Sequence, residues 1–66
     1  MKHDPIEQTE LFQSVYDEVM EEVEKNLEES GTRNAHYIWN LMSESLEKRG
    51  IKWKSIGVMN PKVKFD

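Results

Sequence analysis

The side chains that could do chemistry in this chain are few and widely spaced. It contains five serines, but none has a histidine at a spacing typical of a nucleophile and its base. The internal histidine, His36, falls in the first turn of a predicted helix, and the three glycines are too far apart to form a phosphate-binding loop. A chain of 66 residues can hardly build substrate-pocket walls around its own core. The sequence therefore predicts no catalytic residue, no cofactor and no enzyme activity.

Two patterns could hold a metal ion. Met1-Lys2-His3 puts a histidine third from the amino terminus, where four nitrogens can surround Cu(II) or Ni(II) in a square plane. The acids between residues 18 and 29 could hold a hard cation, but they lack the ligand spacing of an EF-hand. We interpret His3 as an incidental residue in a frayed end, and the sequence predicts no metal site.

Charge is distributed unevenly along the chain. The net charge is −4, but residues 1–32 carry ten acids and two lysines, a balance of −8, whereas residues 33–66 have a balance of +4. A functional interpretation has to account for an acidic first half joined to a basic second half.

Four acids of the first half are predicted to form a binding face on one helix: Asp17, Glu18, Glu21 and Glu28. Like charges four residues apart, such as Asp17 and Glu21, oppose a helix by roughly 0.2–0.5 kcal/mol per pair. Three interpretations compete for this face. It is solvated and partly neutralised by the basic tail of this chain or of a second copy, or it docks a basic protein surface, or it imitates a nucleic-acid backbone.

The chain after residue 50 alternates apolar and basic residues. Ile51-Lys52-Trp53-Lys54 and 62–65 show this period of two, and Met59-Asn60-Pro61 between them is typical of a turn. The pattern predicts a short β-hairpin or an extended tail, with lysines on one face and aromatic rings on the other. Partner-binding residues are predicted here and on the second helix: Tyr37, Trp53, Lys54, Lys64 and Phe65. In the alternative interpretation, Trp53 and Phe65 cover the helices while the lysines stay in water.

Two amphipathic helices must position these groups. The first is predicted over residues 5–29, with Asp4 as its cap and Glu7 completing a capping box. The second is predicted over residues 33–49, between a Thr32 cap and a stop at Gly50. The apolar positions of both helices are predicted to form the core or a dimer seam: Phe12, Tyr16, Val19, Val23, Leu27, Ile38, Trp39, Met42 and Leu46. Ile51 is expected to fold back onto Leu46.

The predicted fold is mainly α, a single domain over residues 1–66 that consists of an antiparallel two-helix hairpin with the short C-terminal β-hairpin or tail. Two helices form only a thin layer with apolar groups left on both faces, which predicts a two-fold dimer that makes a four-helix bundle. The longest apolar run is three residues, Tyr37 to Trp39, so no membrane span is expected. The start of the chain lacks a signal-peptide pattern and there is no cysteine, so we expect a cytoplasmic protein.

The expected function is that of a small intracellular adaptor or regulator that binds another protein. Its size and acidity are typical of inhibitors and antitoxins of bacterial or phage origin, which is an analogy of composition only. The alternative is a nucleic-acid-binding module that uses the basic C-terminal segment, with four candidate lysines: Lys52, Lys54, Lys62 and Lys64.

Overall fold

The computed structural model describes residues 1–64, and two long helices packed against each other make up most of this part of the chain. A 3-10 helix, Pro5–Gln8, precedes α1 (Glu10–Ser30). After a short loop, α2 (Ala35–Lys48) runs back along α1, and α3 (Ile56–Met59) follows in the C-terminal segment. The molecule measures 30 × 29 × 14 Å along its principal axes. Its smallest dimension is close to the diameter of one helix with its side chains, about 10–12 Å, so the helices form a single layer.

The start of α1 differs from the prediction. Asp4 is a cap, since its Oδ1 accepts from the Ile6 amide at 3.1 Å, but it caps the 3-10 helix rather than α1. Thr9 has extended backbone angles and interrupts the predicted single helix. Its hydroxyl then accepts from the Phe12 amide at 3.2 Å and caps α1. The sequence therefore contains two caps in succession where one was predicted.

Glycine ends α1, and a residue other than the predicted one starts α2. Gly31 adopts a left-handed conformation with φ of 71°, and its amide donates to the Leu27 carbonyl at 2.9 Å. The predicted cap Thr32 is wrong, because the Asn34 side chain accepts from the Tyr37 amide at 2.8 Å. Asparagine and threonine are both favourable N-cap residues, so the residue types alone do not distinguish a helix that starts after Thr32 from one that starts after Asn34.

The end of α2 is a Schellman motif. Gly50 has φ of 77°, its amide donates to the Glu47 carbonyl, and the Ile51 amide donates to the Leu46 carbonyl, both at 3.0 Å. Leu46 is 0% exposed and Ile51 is 1% exposed, and both belong to the buried core. This confirms the predicted fold-back of Ile51 onto the second helix.

The core is a small cluster between the two helices. Seven apolar side chains are buried in it: Phe12, Val19, Val23, Leu27, Met42, Leu46 and Ile51. Ile38 and Trp39, also predicted for the core, are partly buried and pack against it. Tyr16 was predicted for the core or dimer seam but is 41% exposed, so in this chain it lies outside the buried cluster.

The predicted β-hairpin is not supported, because residues 51–64 contain no strand. Ile51 and Ser55 are buried, Trp53 is partly buried, and the lysines between them are exposed. A period of two therefore marks an extended segment with one side against the helices, which requires no partner strand. Ser55 then caps α3 by accepting from the Val58 amide at 3.3 Å. Phe65 lies outside the described residues.

Candidate protein-binding surface

Three carboxylates of α1 form an exposed row, here named the acidic ridge: Asp17, Glu21 and Glu28. Spacings of four and seven residues keep them on one face of the helix, over a length of about 16 Å. All three are exposed, and none makes an ion pair or hydrogen bond with another residue of the described chain. The ridge therefore presents three carboxylates to solvent that no cation of residues 1–64 pairs with.

Glu22, the next residue after Glu21, is used inside the fold. Its Oε1 accepts from Lys48 Nζ at 2.9 Å, and its Oε2 accepts from Arg49 Nη2 at 2.6 Å. Ser45 Oγ donates to the same Oε2 at 3.1 Å. The hydrogen bonds from Lys48 and then Arg49 lower the pKa of Glu22 from 4.5 to about 2. Glu22 therefore ties α1 to the last turn of α2.

Arg49 extends this network to Glu18. Its Nη1 donates to the carbonyl and hydroxyl oxygens of the buried Ser45 at 3.0 and 2.9 Å. Its Nε lies 3.7 Å from Glu18 Oε2, which is too long for a hydrogen bond, and the Glu18 side chain is 69% exposed. Of the four predicted binding-face acids, Glu18 thus borders the internal network while the other three form the acidic ridge.

One interpretation of the sequence expected the basic C-terminal tail of this chain or of a second copy to neutralise acids of α1. Within residues 1–64, the cations that pair with these acids come from another part of the chain. Glu24 pairs with Arg33 at 2.9 Å, so the cations that reach α1 lie just before α2 and at its end. Four lysines of the C-terminal segment are exposed and make no ion pair with a carboxylate of residues 1–64: Lys52, Lys54, Lys62 and Lys64. Unpaired charges of both signs therefore occur on the surface of the same molecule.

The start of the chain meets the C-terminal segment at a contact that we name the terminal junction, residues 2–7 with 53–60. Trp53 Nε1 donates to Glu7 Oε2 at 2.8 Å, and the Lys54 amide donates to Asp4 Oδ2 at 2.8 Å. The predicted capping box of Glu7 is therefore wrong, because its carboxylate binds the indole. Trp53 packs against the core, so as a partner-binding residue it presents only part of its ring.

Asn60 closes the terminal junction. Its Oδ1 accepts from the Lys2 amide at 3.0 Å, and its Nδ2 donates to the carbonyls of Lys2 and Ile56, each at 2.8 Å. His3 Nδ1 lies 3.6 Å from Glu7 Oε1. A square-planar metal site at Met1-Lys2-His3 would have to take the Lys2 amide away from Asn60. Among residues 1–64, no three metal-ligating side chains are grouped closely enough to hold an ion.

Tyr37, predicted as a partner-binding residue, is partly buried and packs against the core. The sequence patterns considered above did not indicate the network of hydrogen bonds and ion pairs that Glu22, Ser45 and Arg49 form within the fold. A signal for them exists, because residues equidistant from the loop face each other in an antiparallel helix pair. Residues 22 and 45, and residues 18 and 49, are each centred on the loop between 33 and 34.

Comparisons with protein-family models, curated proteins and solved structures found no match to this chain. None of the helices within residues 1–64 combines the length and apolar character that crossing a membrane requires.

Proposed function

We propose that this protein is a small regulator that acts by binding another protein, and that the acidic ridge docks a basic surface of that partner. One observation carries the proposal. Glu22 and Glu24 are paired with cations of their own chain, whereas Asp17, Glu21 and Glu28 on the same helix are left without one. The cations of this chain that reach α1 pair with acids outside the ridge, so the ridge is left for an external cation.

The electrostatics of the ridge favour such a partner. Asp17 and Glu21 are four residues apart on a helix and repel each other, at a cost of roughly 0.2–0.5 kcal/mol. Lysine or arginine side chains of a partner would reverse this repulsion. Charges arranged in this way increase the association rate and select partners more than they add affinity, and their effect decreases with salt.

The inhibitor or antitoxin-like role stays within this proposal, supported by the size and net charge of the chain. A homodimer is also part of it. The thickness of 14 Å supports self-association. In a single layer of helices, no second layer covers the core on either face, and a second copy could cover one of these faces. The four-helix bundle is one possible form of that dimer.

A pull-down from native lysate, with and without nuclease, tests the proposal. The protein with Asp17→Asn, Glu21→Gln and Glu28→Gln is compared with a matched variant, Glu29→Gln, Glu44→Gln and Glu47→Gln. The matched residues are exposed and make no ion pair within residues 1–64, so both variants change the net charge equally. We expect a stoichiometric protein that survives nuclease and is lost only from the ridge variant. Equal retention by the two variants would contradict the ridge as the docking surface.

The alternative, nucleic-acid binding through the C-terminal lysines, has the support of their exposure. It has less support from the aromatic residue between them, because Trp53 packs against the core and its indole donates to Glu7, which limits base stacking. Recovery of nucleic acid that Lys52→Ala and Lys54→Ala abolish, with steep loss of affinity in salt, would favour this alternative.

A further inference from the structure

The C-terminal segment and the start of the chain together form a groove with cationic edges. We name it the terminal groove, and its lining includes two lysines and three apolar residues: Lys2, Lys62, Met59, Pro61 and Val63. Val63 is 43% exposed, so part of this apolar surface faces water. No carboxylate of residues 1–64 pairs with either lysine. The groove therefore offers two unpaired positive charges beside an apolar floor.

The edges of the groove are held in position by Asn60. Its side-chain amide makes hydrogen bonds with both the amide and the carbonyl of Lys2, at 3.0 and 2.8 Å. The Val63 amide donates to the Asn60 carbonyl at 3.1 Å and closes the turn that carries Lys62. These bonds fix the backbone of Lys2 and Lys62 relative to each other, so less conformational entropy is lost when an anionic occupant binds.

The surface that complements this groove lies on the same molecule. The acidic ridge has three carboxylates without an ion pair among the described residues, and two of them, Asp17 and Glu21, lie one helical turn apart. Two carboxylates one turn apart on an exposed helix face match the two lysines of the groove in number and in the sign of their charge. Within one chain these two surfaces do not pair, since the described ion pairs of α1 all involve other cations.

We propose that the terminal groove binds α1 of a second copy of this chain, with Lys2 and Lys62 opposite Asp17 and Glu21. Two-fold symmetry makes the same contact twice, so each copy gives its groove and its acidic ridge. This inference deepens the proposed function in one respect: the dimer covers the ridge, so self-association and partner binding compete for it.

A charge-swap experiment on the purified protein tests this arrangement. One variant carries Lys2→Glu and Lys62→Glu, and the other carries Asp17→Lys and Glu21→Lys. Each variant alone brings like charges together at both contacts, whereas an equal mixture restores opposite charges at both. Sedimentation equilibrium should show a wild-type dimer, two monomeric variants and a dimer in the mixture. Circular dichroism of each variant checks that its helices are kept.

Controls separate this interface from other forms of dimer. The matched swap Lys52→Glu with Glu47→Lys lies outside both surfaces and should leave dimerisation unchanged. Raising the salt from about 0.05 to 0.5 M should weaken the wild-type dimer by about tenfold or more, because exposed ion pairs are screened. A dimer that survives each single-surface swap and is indifferent to salt would overturn the proposed interface.

The outcome is also distinguishable from that of the pull-down. A wild-type protein that is monomeric at tens of micromolar would overturn this inference, even if the acidic ridge still retained a partner from lysate. A salt-sensitive dimer restored by mixing the two swaps would support it, even if the lysate contained no partner.

Discussion

The α1–α2 interface and the terminal junction both bring distant parts of the chain together, but with different interactions. Along α1–α2 the contact is an apolar seam, in which Val23 and Leu46 are almost fully buried, with Glu22 and its cations at the edge. At the terminal junction, hydrogen bonds pair single side chains with main-chain or indole groups. Glu7 binds Trp53, and Asn60 binds Lys2.

The difference shows which contact contributes most of the free energy of folding and which one determines the position of the C-terminal segment. Apolar burial is non-directional and contributes roughly 25 cal/mol per Å² of surface removed from water, so the seam accumulates stability over its length. A hydrogen bond contributes about 0.5–1.5 kcal/mol net and only in the right geometry. The seam therefore supplies most of the stability, whereas the terminal junction fixes where the C-terminal segment lies.

The largest effect is expected from breaking the seam. Leu46→Ala removes a side chain that is 0% exposed, and the lost contacts plus the cavity should cost about 2–5 kcal/mol. Urea denaturation followed by circular dichroism measures it. Leu11→Ala is the control, because Leu11 is 56% exposed and its truncation should change stability by no more than about 0.5 kcal/mol. Equal losses in the two variants would contradict the position of the core.

A smaller effect is expected at Gly57, where the C-terminal segment packs closely against Trp39 of α2. A Cβ added at Gly57 would lie 2.8 Å from Trp39 Cζ3, so Gly57→Ala forces the segment or the indole ring to move. Overpacking of this kind costs about 1–3 kcal/mol, more than alanine gains over glycine in a helix. Thermal unfolding measures the loss. The same substitution in a Trp39→Leu background should cost less, and an unchanged cost would show that the close approach is not its cause.

The C-terminal ends of the two long helices and the hydrophobic seam were predictable because they depend on neighbours in the sequence. Glycine at positions 31 and 50 has the left-handed conformation that ends a helix, and Ile51 follows the second one at the position that folds back. The apolar spacing of α1 likewise identified Val19, Val23 and Leu27 as buried. These features require no knowledge of where the rest of the chain lies.

The terminal junction and the Glu22 network were not predictable in the same way. Glu7 could cap a helix or bind an indole, and the choice depends on Trp53, which is 46 residues away in sequence. The alternation after residue 50 is the same for a strand and for a segment packed on helices. For Glu22, the antiparallel register would have identified Ser45, but only after the loop had been placed at residues 31–34.

At the terminal junction, Trp53→Phe keeps an aromatic ring, although a smaller one, and removes the indole N–H that donates to Glu7. We expect a loss of about 0.5–1.5 kcal/mol in the free energy of unfolding. A double-mutant cycle with Glu7→Ala isolates this interaction, since the part of the Trp53→Phe cost that comes from the hydrogen bond should then disappear, whereas the part from lost packing should remain. If the two effects add without coupling, the 2.8 Å contact contributes nothing to stability.

The smallest effect is expected at the edge of the seam, and it depends on pH. The folded state holds the pKa of Glu22 at about 2, compared with 4.5 for an unperturbed glutamate. Ionised Glu22 therefore stabilises the fold fully above about pH 4.5, and this contribution is lost as the pH falls toward 2. Thermal unfolding between about pH 7 and pH 2 should show this part of the pH dependence in the wild type and not in Glu22→Gln.

Glu21→Gln is the matched control for that pH profile, because it makes the same chemical change one position away. Glu21 belongs to the acidic ridge and makes no ion pair among the described residues, so its variant should keep the wild-type loss of stability between about pH 4.5 and 2. Added salt should reduce the difference between the two variants, since Lys48 and Glu22 are partly exposed. Identical profiles for the two variants at low salt would mean that Glu22 is as free as its neighbour, which would remove the contrast with the ridge on which the proposed docking surface depends.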